Sequence, residues 1–164
     1  MVFRPSRNSR VWKTALFLYA RPVFWALLRE EIRQHARKAE RLGMLPAIRL
    51  NGTSDVIPAW NFAQQFPRVQ FYDYTKNTRR ASWENYHVTV SRSGDNDNDC
   101  VRVLAAGGNV AIVFSGELPA TWKGFPVLDA DETDARFMDP PGTVAGLTFK
   151  GNTNPADAGA FVVH

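Results

Sequence analysis

The chain has 164 residues, of which 45% are hydrophobic and 22% charged, a single domain's worth of ordinary globular composition that excludes wholesale disorder and fibrous repeats. Its formal net charge of +4 is unevenly spread. Residues 1–49 carry eleven Lys/Arg against three acids, whereas residues 50–164 carry nine against thirteen. One cysteine, Cys100, excludes an internal disulfide and any zinc site built on a cysteine pair. The longest apolar stretch, Thr14 to Leu28, is broken by Arg21 and Pro22, so no membrane span is expected. The basic, serine-containing opening is not followed by a clean apolar core and small-residue cleavage site. A cytoplasmic protein without membrane partners is the expectation.

Val11 to Tyr19 is apolar and bulky, and its periodicity fits a strand or a helical turn equally. Pro22 suits the first turn of a helix, where its missing N–H costs nothing. Phe24, Leu28, Ile32, Ala36, Ala39 and Leu42 follow at spacings of three and four, and Gly43 supplies a stop. Arg29, Arg33, Arg37 and Arg41 line the other side. The pattern predicts an amphipathic helix of about 20 residues with a basic outer face. Residues 1–43 are therefore read as a basic N-terminal segment with its helix, and 44–164 as an α/β core within one domain.

In the core, short apolar runs alternate with polar clusters and helix-compatible stretches. Ala47–Leu50 leads to Asn51–Asp55 and then to a helix over Pro58–Phe66. Val69–Tyr74 leads to Thr75–Thr78 and a helical stretch near Ala81–Asn85. Tyr86–Val90 leads to Ser91–Gly94 and a helix over Val101–Ala106. Asn109–Phe114 is the clearest strand. Pro119–Gly124 reads as a turn, Phe125–Leu128 as a strand, Asp129–Asp134 as an acidic loop, Asp139–Gly142 as a turn, Val144–Lys150 as a strand, and Phe161–Val163 as a short final run.

This alternation predicts βα units and a mostly parallel sheet. A closed eight-unit barrel needs about 250 residues, so the fold expected is a partial TIM-barrel-like or open sheet of roughly five or six strands. Right-handed crossovers would gather the strand exits on one edge, where parallel α/β proteins bind ligands. That edge would hold Asn51, Asp55, Lys76, Ser91, Ser93 and Ser115.

Several segments together carry a family resemblance: Arg49-Leu-Asn-Gly-Thr-Ser-Asp55, Phe71-Tyr-Asp-Tyr-Thr-Lys76, Gly108-Asn-Val-Ala-Ile-Val-Phe114, Val127 to Gly142 and Val144 to Gly151. In order and wording they resemble the phage and prophage family called gene product 88-like, over roughly residues 45–151. The family has no agreed activity, so the resemblance implies a phage origin, a bacterial host cytoplasm and a barrel-like α/β core rather than a mechanism. It also implies that longer members carry a cysteine-containing segment ahead of the core. Here the basic, aromatic N-terminus stands in its place and only Cys100 remains, which leaves no ligand set for a metal or iron–sulfur centre to carry over.

Asp55 and Lys76 are the candidate catalytic residues, expected as a pair on neighbouring strand exits. A lysine in such a mouth can act as a base, a nucleophile or a phosphate-binding point charge. Asn51, Asp129, Asp131 and Lys150 are the candidate ligand contacts. Asp129, Asp131 and Asp134 offer hard oxygen ligands to Mg²⁺, Mn²⁺ or Ca²⁺, but the calcium-loop pattern fails at Asp134 and Pro140. The plainer reading has these aspartates capping turns and pairing with Arg136. Asp95, Asp97 and Asp99 fail the same pattern at Cys100 and Ala106, and a loop that caps the following helix is the stronger reading. His35, His87 and His164 are scattered and form no metal or triad set.

Two functional readings follow. In the first, a polar pocket on the strand-exit edge takes a phosphate-bearing or nucleotide-related ligand. In the second, a non-enzymatic interaction protein contacts nucleic acid or a host factor through its basic helix, the five tryptophans (12, 25, 60, 83 and 122) suggesting base stacking, although Trp12 and Trp25 sit among Leu and Phe, where burial is the usual fate. Self-association would complete a barrel that this length leaves unfinished.

Overall fold

The computed structural model describes residues 4–52, 55–152 and 154–164. The chain divides into two units, Met1–Pro46 and Ala47–His164. The first holds α1 (Arg4–Tyr19) and α2 (Arg21–Arg41). Val11 to Tyr19 is thus helical. The two helices meet at Ala20, whose φ of −139° and ψ of 49° leave the helical region, and Pro22 takes its place in the first turn of α2. Phe17 meets the rings of Phe24 and Trp25 edge-on across this joint, at 5.3 and 5.8 Å. The Arg21 guanidinium stacks 4.8 Å from the Phe17 ring centroid. Gly43, at φ 65°, ends α2 in a left-handed conformation that a side chain would strain.

The second unit holds eight strands: β1 (Ala47–Ile48), β2 (Gln70–Thr75), β3 (Tyr86–Ser91), β4 (Asn109–Phe114), β5 (Thr121–Trp122), β6 (Phe125–Asp129), β7 (Val144–Thr148) and β8 (Val162–Val163). They outnumber the five or six expected because β5 and β8 are only two residues long, too short for a clear strand pattern in the sequence. Two helices, α3 (Ala59–Gln65) and α4 (Asp97–Ala105), and two 3₁₀ turns, Arg136–Met138 and Pro155–Asp157, complete the unit. The strand order is β1-β2-β3-β4-β7-β6-β5, with β8 alongside β4. Every pairing is parallel except the β5–β6 hairpin. The sheet is open, its edges being β1 and β5.

Residues 81–85, expected as a helix, are not helical. Trp83 and Tyr86 exchange backbone hydrogen bonds at 2.7 and 3.0 Å, a tight turn that delivers the chain straight into β3. The turn expected over Pro119–Gly124 contains β5, and Lys123 and Gly124, both at positive φ, close the hairpin to β6 as a two-residue loop.

Parallel register sorts the side chains onto two faces. One face carries Val90, Val110, Ile112, Phe114 and Val144, which form the main core with Cys100 and Leu104 of α4 and with Trp122. The other carries Tyr72, Tyr74, His87, Thr89, Ala111 and Ala145. The acidic segment after β6 turns back over this second face: Ala130 packs with Ala111 and Ala145, and the Phe137 ring lies 5.5 Å from that of Tyr72.

Candidate functional site

β1, β2 and β3 run parallel and in register, so their carboxyl ends bring Arg49, Thr75 and Ser91 to one edge. There a cavity of about 290 Å³ is lined by Arg49, Asn51, Gly52, Asp55, Tyr74, Thr75, Lys76 and Ser91. Four of the residues expected at the strand exits, Asn51, Asp55, Lys76 and Ser91, therefore share it.

Their chemical states differ. Asn51 is buried and fully engaged. Its backbone N–H donates to Asp73 Oδ1 at 3.0 Å, its amide donates to Asp73 Oδ2 at 2.8 Å and to the Ile57 carbonyl at 2.9 Å, and its Oδ1 accepts from the Ile57 N–H at 2.9 Å. It builds the loop that carries Asp55. Asp73 is 1% exposed and burial raises its pKa, opposed by the hydrogen bonds from Asn51 and Tyr86. Burial and the adjacent Asp73 charge push the Tyr86 phenol up to about 12.

The expected Asp55–Lys76 pair does not form. Asp55 Oδ1 takes the guanidinium of Arg80, and Oδ2 accepts from the Thr75 hydroxyl at 2.6 Å. Arg80 reaches Asp55 because residues 76–85, being non-helical, bring it back to the β2 exit. Lys76 is left exposed and, among the described residues, makes no ion pair with a carboxylate.

Arg49 lies on the opposite wall. Its Nη1 donates to Asp134 at 2.9 Å and its Nη2 to the Gly52 carbonyl at 3.3 Å. Its guanidinium stacks 4.5 Å from the Tyr74 ring centroid, while the Tyr74 hydroxyl donates to the other oxygen of Asp134 at 2.9 Å. The Tyr74 pKa is raised by burial and then by the Asp134 charge. Arg49 Nε is buried and has no acceptor among the described residues. Asp134 thus serves as the counter-ion of this wall from the far end of the sheet's order.

Asp129, Asp131 and Lys150 stand on the same edge, but β3 and β4 separate the β2 exit from theirs. Asp129 accepts from the Asp131 N–H at 2.8 Å, closing a turn. Asp131 pairs with Lys150 at 2.8 Å and accepts from the Thr148 N–H at 3.1 Å, and the Lys150 hydrogen bond leads the effects that lower its pKa. The edge thus carries two separate groups. Ser93 donates to Asp95 at 2.6 Å, and the Ser115 N–H bonds to β8 at 2.9 Å. Among the described residues, no three His, Cys, Asp or Glu side chains gather closely enough to hold a metal ion, and no helix is long and apolar enough to cross a membrane.

The match to known families decides the relationship. The gene product 88 family model matches residues 1–164. The chain belongs to the gene product 88 family. The match spans the basic N-terminal helices as well as the core, wider than the 45–151 of the resemblance, so those helices fall within the family's own extent. No curated protein and no solved structure matches the chain.

Several lining residues were not singled out in the sequence. Tyr74 and Arg49 were visible as strand-end neighbours of Lys76 and Asn51. Arg80 carried no signal, since its reach depends on the turn at Trp83. Asp134 is readable in the sequence as a candidate oxygen ligand or turn cap, but its pairing with Arg49 and Tyr74 depends on the loop crossing the sheet.

Proposed function

We propose that the cavity at the ends of β1, β2 and β3 binds a phosphate-bearing ligand, with Lys76 as its principal cation. The observation that carries this reading is the inequality of the charges around it. Asp55 is neutralised by Arg80, and Arg49 by Asp134, which leaves Lys76, attracted by Asp95 only across a longer distance, as the cation at the mouth that no described carboxylate pairs directly. Arg49 Nε lacks an acceptor among the described residues, and the Ser91 side chain adds a hydroxyl to the lining. An anion with several acceptor oxygens suits all three donors. Asp55 then acts as an orienting carboxylate held by Arg80 and Thr75, and Asn51 as support for its loop. Asp131 and Lys150 form a separate, mutually neutralised group on the same edge.

Calorimetric titration with ribose 5-phosphate tests the reading. A charge-assisted contact to phosphate is worth roughly 1.5–3 kcal/mol, so Lys76→Ala should weaken binding about tenfold or more with an unchanged melting temperature. Lys150→Ala, at the separate group, should bind as the native chain does. Equal binding by the native chain and Lys76→Ala, or no binding by the native chain, would reject the site.

A second reading has its own support in the N-terminal unit. No acidic residue precedes Glu30, and Trp12 and Tyr19 are 70% and 87% exposed there. Cations interleaved with open aromatic faces suit a single-stranded nucleic acid.

A further inference from the structure

A second cleft of about 330 Å³ adjoins the first. It is lined by Asp55, Val56, Pro58, Trp60, Arg80 and Tyr86, among others, and Asp55 belongs to both. Cavities that hold small ligands run from roughly 300 to 1,000 Å³. Each alone lies near the lower limit of that range, and one ligand reaching across Asp55 into both would occupy a volume well inside it. Their linings differ in kind. The first offers Lys76, Arg49 and Ser91. The second offers the Trp60 indole, 51% exposed, and Val56, 62% exposed, beside the planar guanidinium of Arg80.

We infer that the ligand is a nucleotide, its phosphate at Lys76 and Arg49, its ribose over Asp55 and its base against Trp60. This rests on the phosphate reading of the first cavity and extends it. The dividing carboxylate has the chemistry a ribose needs. Asp55 uses one lone pair on each oxygen for Arg80 and Thr75, and an ionised carboxylate has about four acceptor positions. Sugar hydroxyls can donate to the remaining ones. On the far side, a base is a flat π-system with polar edges. Trp60 supplies an open face for stacking, and Arg80, already fixed by Asp55, presents further donors in a plane. A phosphorylated sugar without a base would fill the first cavity and leave the indole uncovered.

The test compares AMP with ribose 5-phosphate on the full chain and on Trp60→Ala, Trp60→Phe and Lys76→Ala. Stacking on an aromatic side chain gives about ten- to hundredfold in affinity. AMP should therefore bind the native chain at least about tenfold more tightly than ribose 5-phosphate. Trp60→Ala should remove that preference and leave ribose 5-phosphate binding unchanged, Trp60→Phe should restore most of it, and Lys76→Ala should weaken both ligands. Equal affinity for the two ligands on the native chain, or equal losses for both in Trp60→Ala, would overturn the nucleotide assignment while leaving the phosphate site standing. Failure of both ligands to bind the native chain would overturn the site and this inference together.

Discussion

Asn51 and Asp73 are clamped by two hydrogen bonds, from the Asn51 backbone N–H at 3.0 Å and from its side-chain amide at 2.8 Å. The pair ties the loop after β1 to the interior of β2, and Tyr86 adds a third donor to the same carboxylate at 3.2 Å. The buried carboxylate is held chiefly by donors, with the Arg80 cation adding a smaller attraction, so each donor depends on the others.

Asp73→Ala removes the acceptor and strands three donors in the buried interior. Leaving buried polar groups unpaired costs roughly 1–3 kcal/mol each. The expected outcome is a melting temperature about 10 °C lower or more, measured by circular dichroism. Asp73→Asn should recover only part of this, since its amide nitrogen opposes the donor of Asn51. A drop of only a degree or two in Asp73→Ala would show that water reaches the site.

The strand exits were legible because a parallel sheet must place them on one edge, whatever its strand order. Asn51, Asp55, Lys76 and Ser91 follow from that rule alone. Asp129, Asp131 and Lys150 satisfy the same rule yet sit apart, because the order β4-β7-β6 is set by tertiary pairing and leaves no mark on local patterns. Asn109–Phe114 and the helix ending at Gly43 were readable from an apolar run and a 3.6-residue period. The turn at Trp83 was not, since its residues are helix-compatible and backbone pairing with Tyr86 overrides that preference. Arg80 and Asp134 were lost for the same reason: their roles lie 25 and 85 positions from Asp55 and Arg49.

The basic helices make a salt-dependent prediction. If they hold single-stranded nucleic acid, log affinity falls with log salt at a slope near −0.7 per phosphate neutralised. Fluorescence polarisation with a labelled oligonucleotide between 50 and 200 mM salt should show that fall, and Arg10→Glu with Arg21→Glu should flatten the slope by about 1.4 or more. Identical slopes in the native and variant chains would exclude these helices as the contact surface.

Arg136 and Asp139 form the most deeply buried ion pair among the described residues. The Nη1–Oδ2 distance is 3.3 Å with both side chains nearly enclosed, and neither of those atoms makes a hydrogen bond. Arg136 Nη2 does donate to the Thr133 carbonyl at 2.6 Å. Burial raises the Asp139 pKa against the pull of Arg136. Desolvation offsets much of the attraction in such a pair, whereas removing one partner costs about 3–5 kcal/mol. Asp139→Asn should therefore destabilise strongly in urea unfolding, and the double variant Arg136→Met, Asp139→Asn should regain at least half the loss. A double variant no better than the single one would mean that Arg136 holds the 3₁₀ turn chiefly through Thr133.

His87 supplies a test in pH, because it lies on the sheet face that the acidic segment covers. Burial lowers its pKa from the ordinary 6.5, and the Arg136 cation lowers it further. Tyr72 is its register partner on β2, and the Thr89 hydroxyl lies 3.2 Å from Nε2. The unfolded chain takes up a proton near pH 6.5, whereas the folded chain resists until a lower pH. Between those points the unfolded state binds more protons, so folding stability falls as pH drops and levels off below the folded pKa. His87→Gln removes that contribution without removing a polar partner for Thr89. The melting temperature of the native chain should fall more steeply from pH 7 to pH 5 than that of His87→Gln. Parallel curves would show that the imidazole is free to protonate in the fold, and with it that the acidic segment does not keep Arg136 close to the sheet.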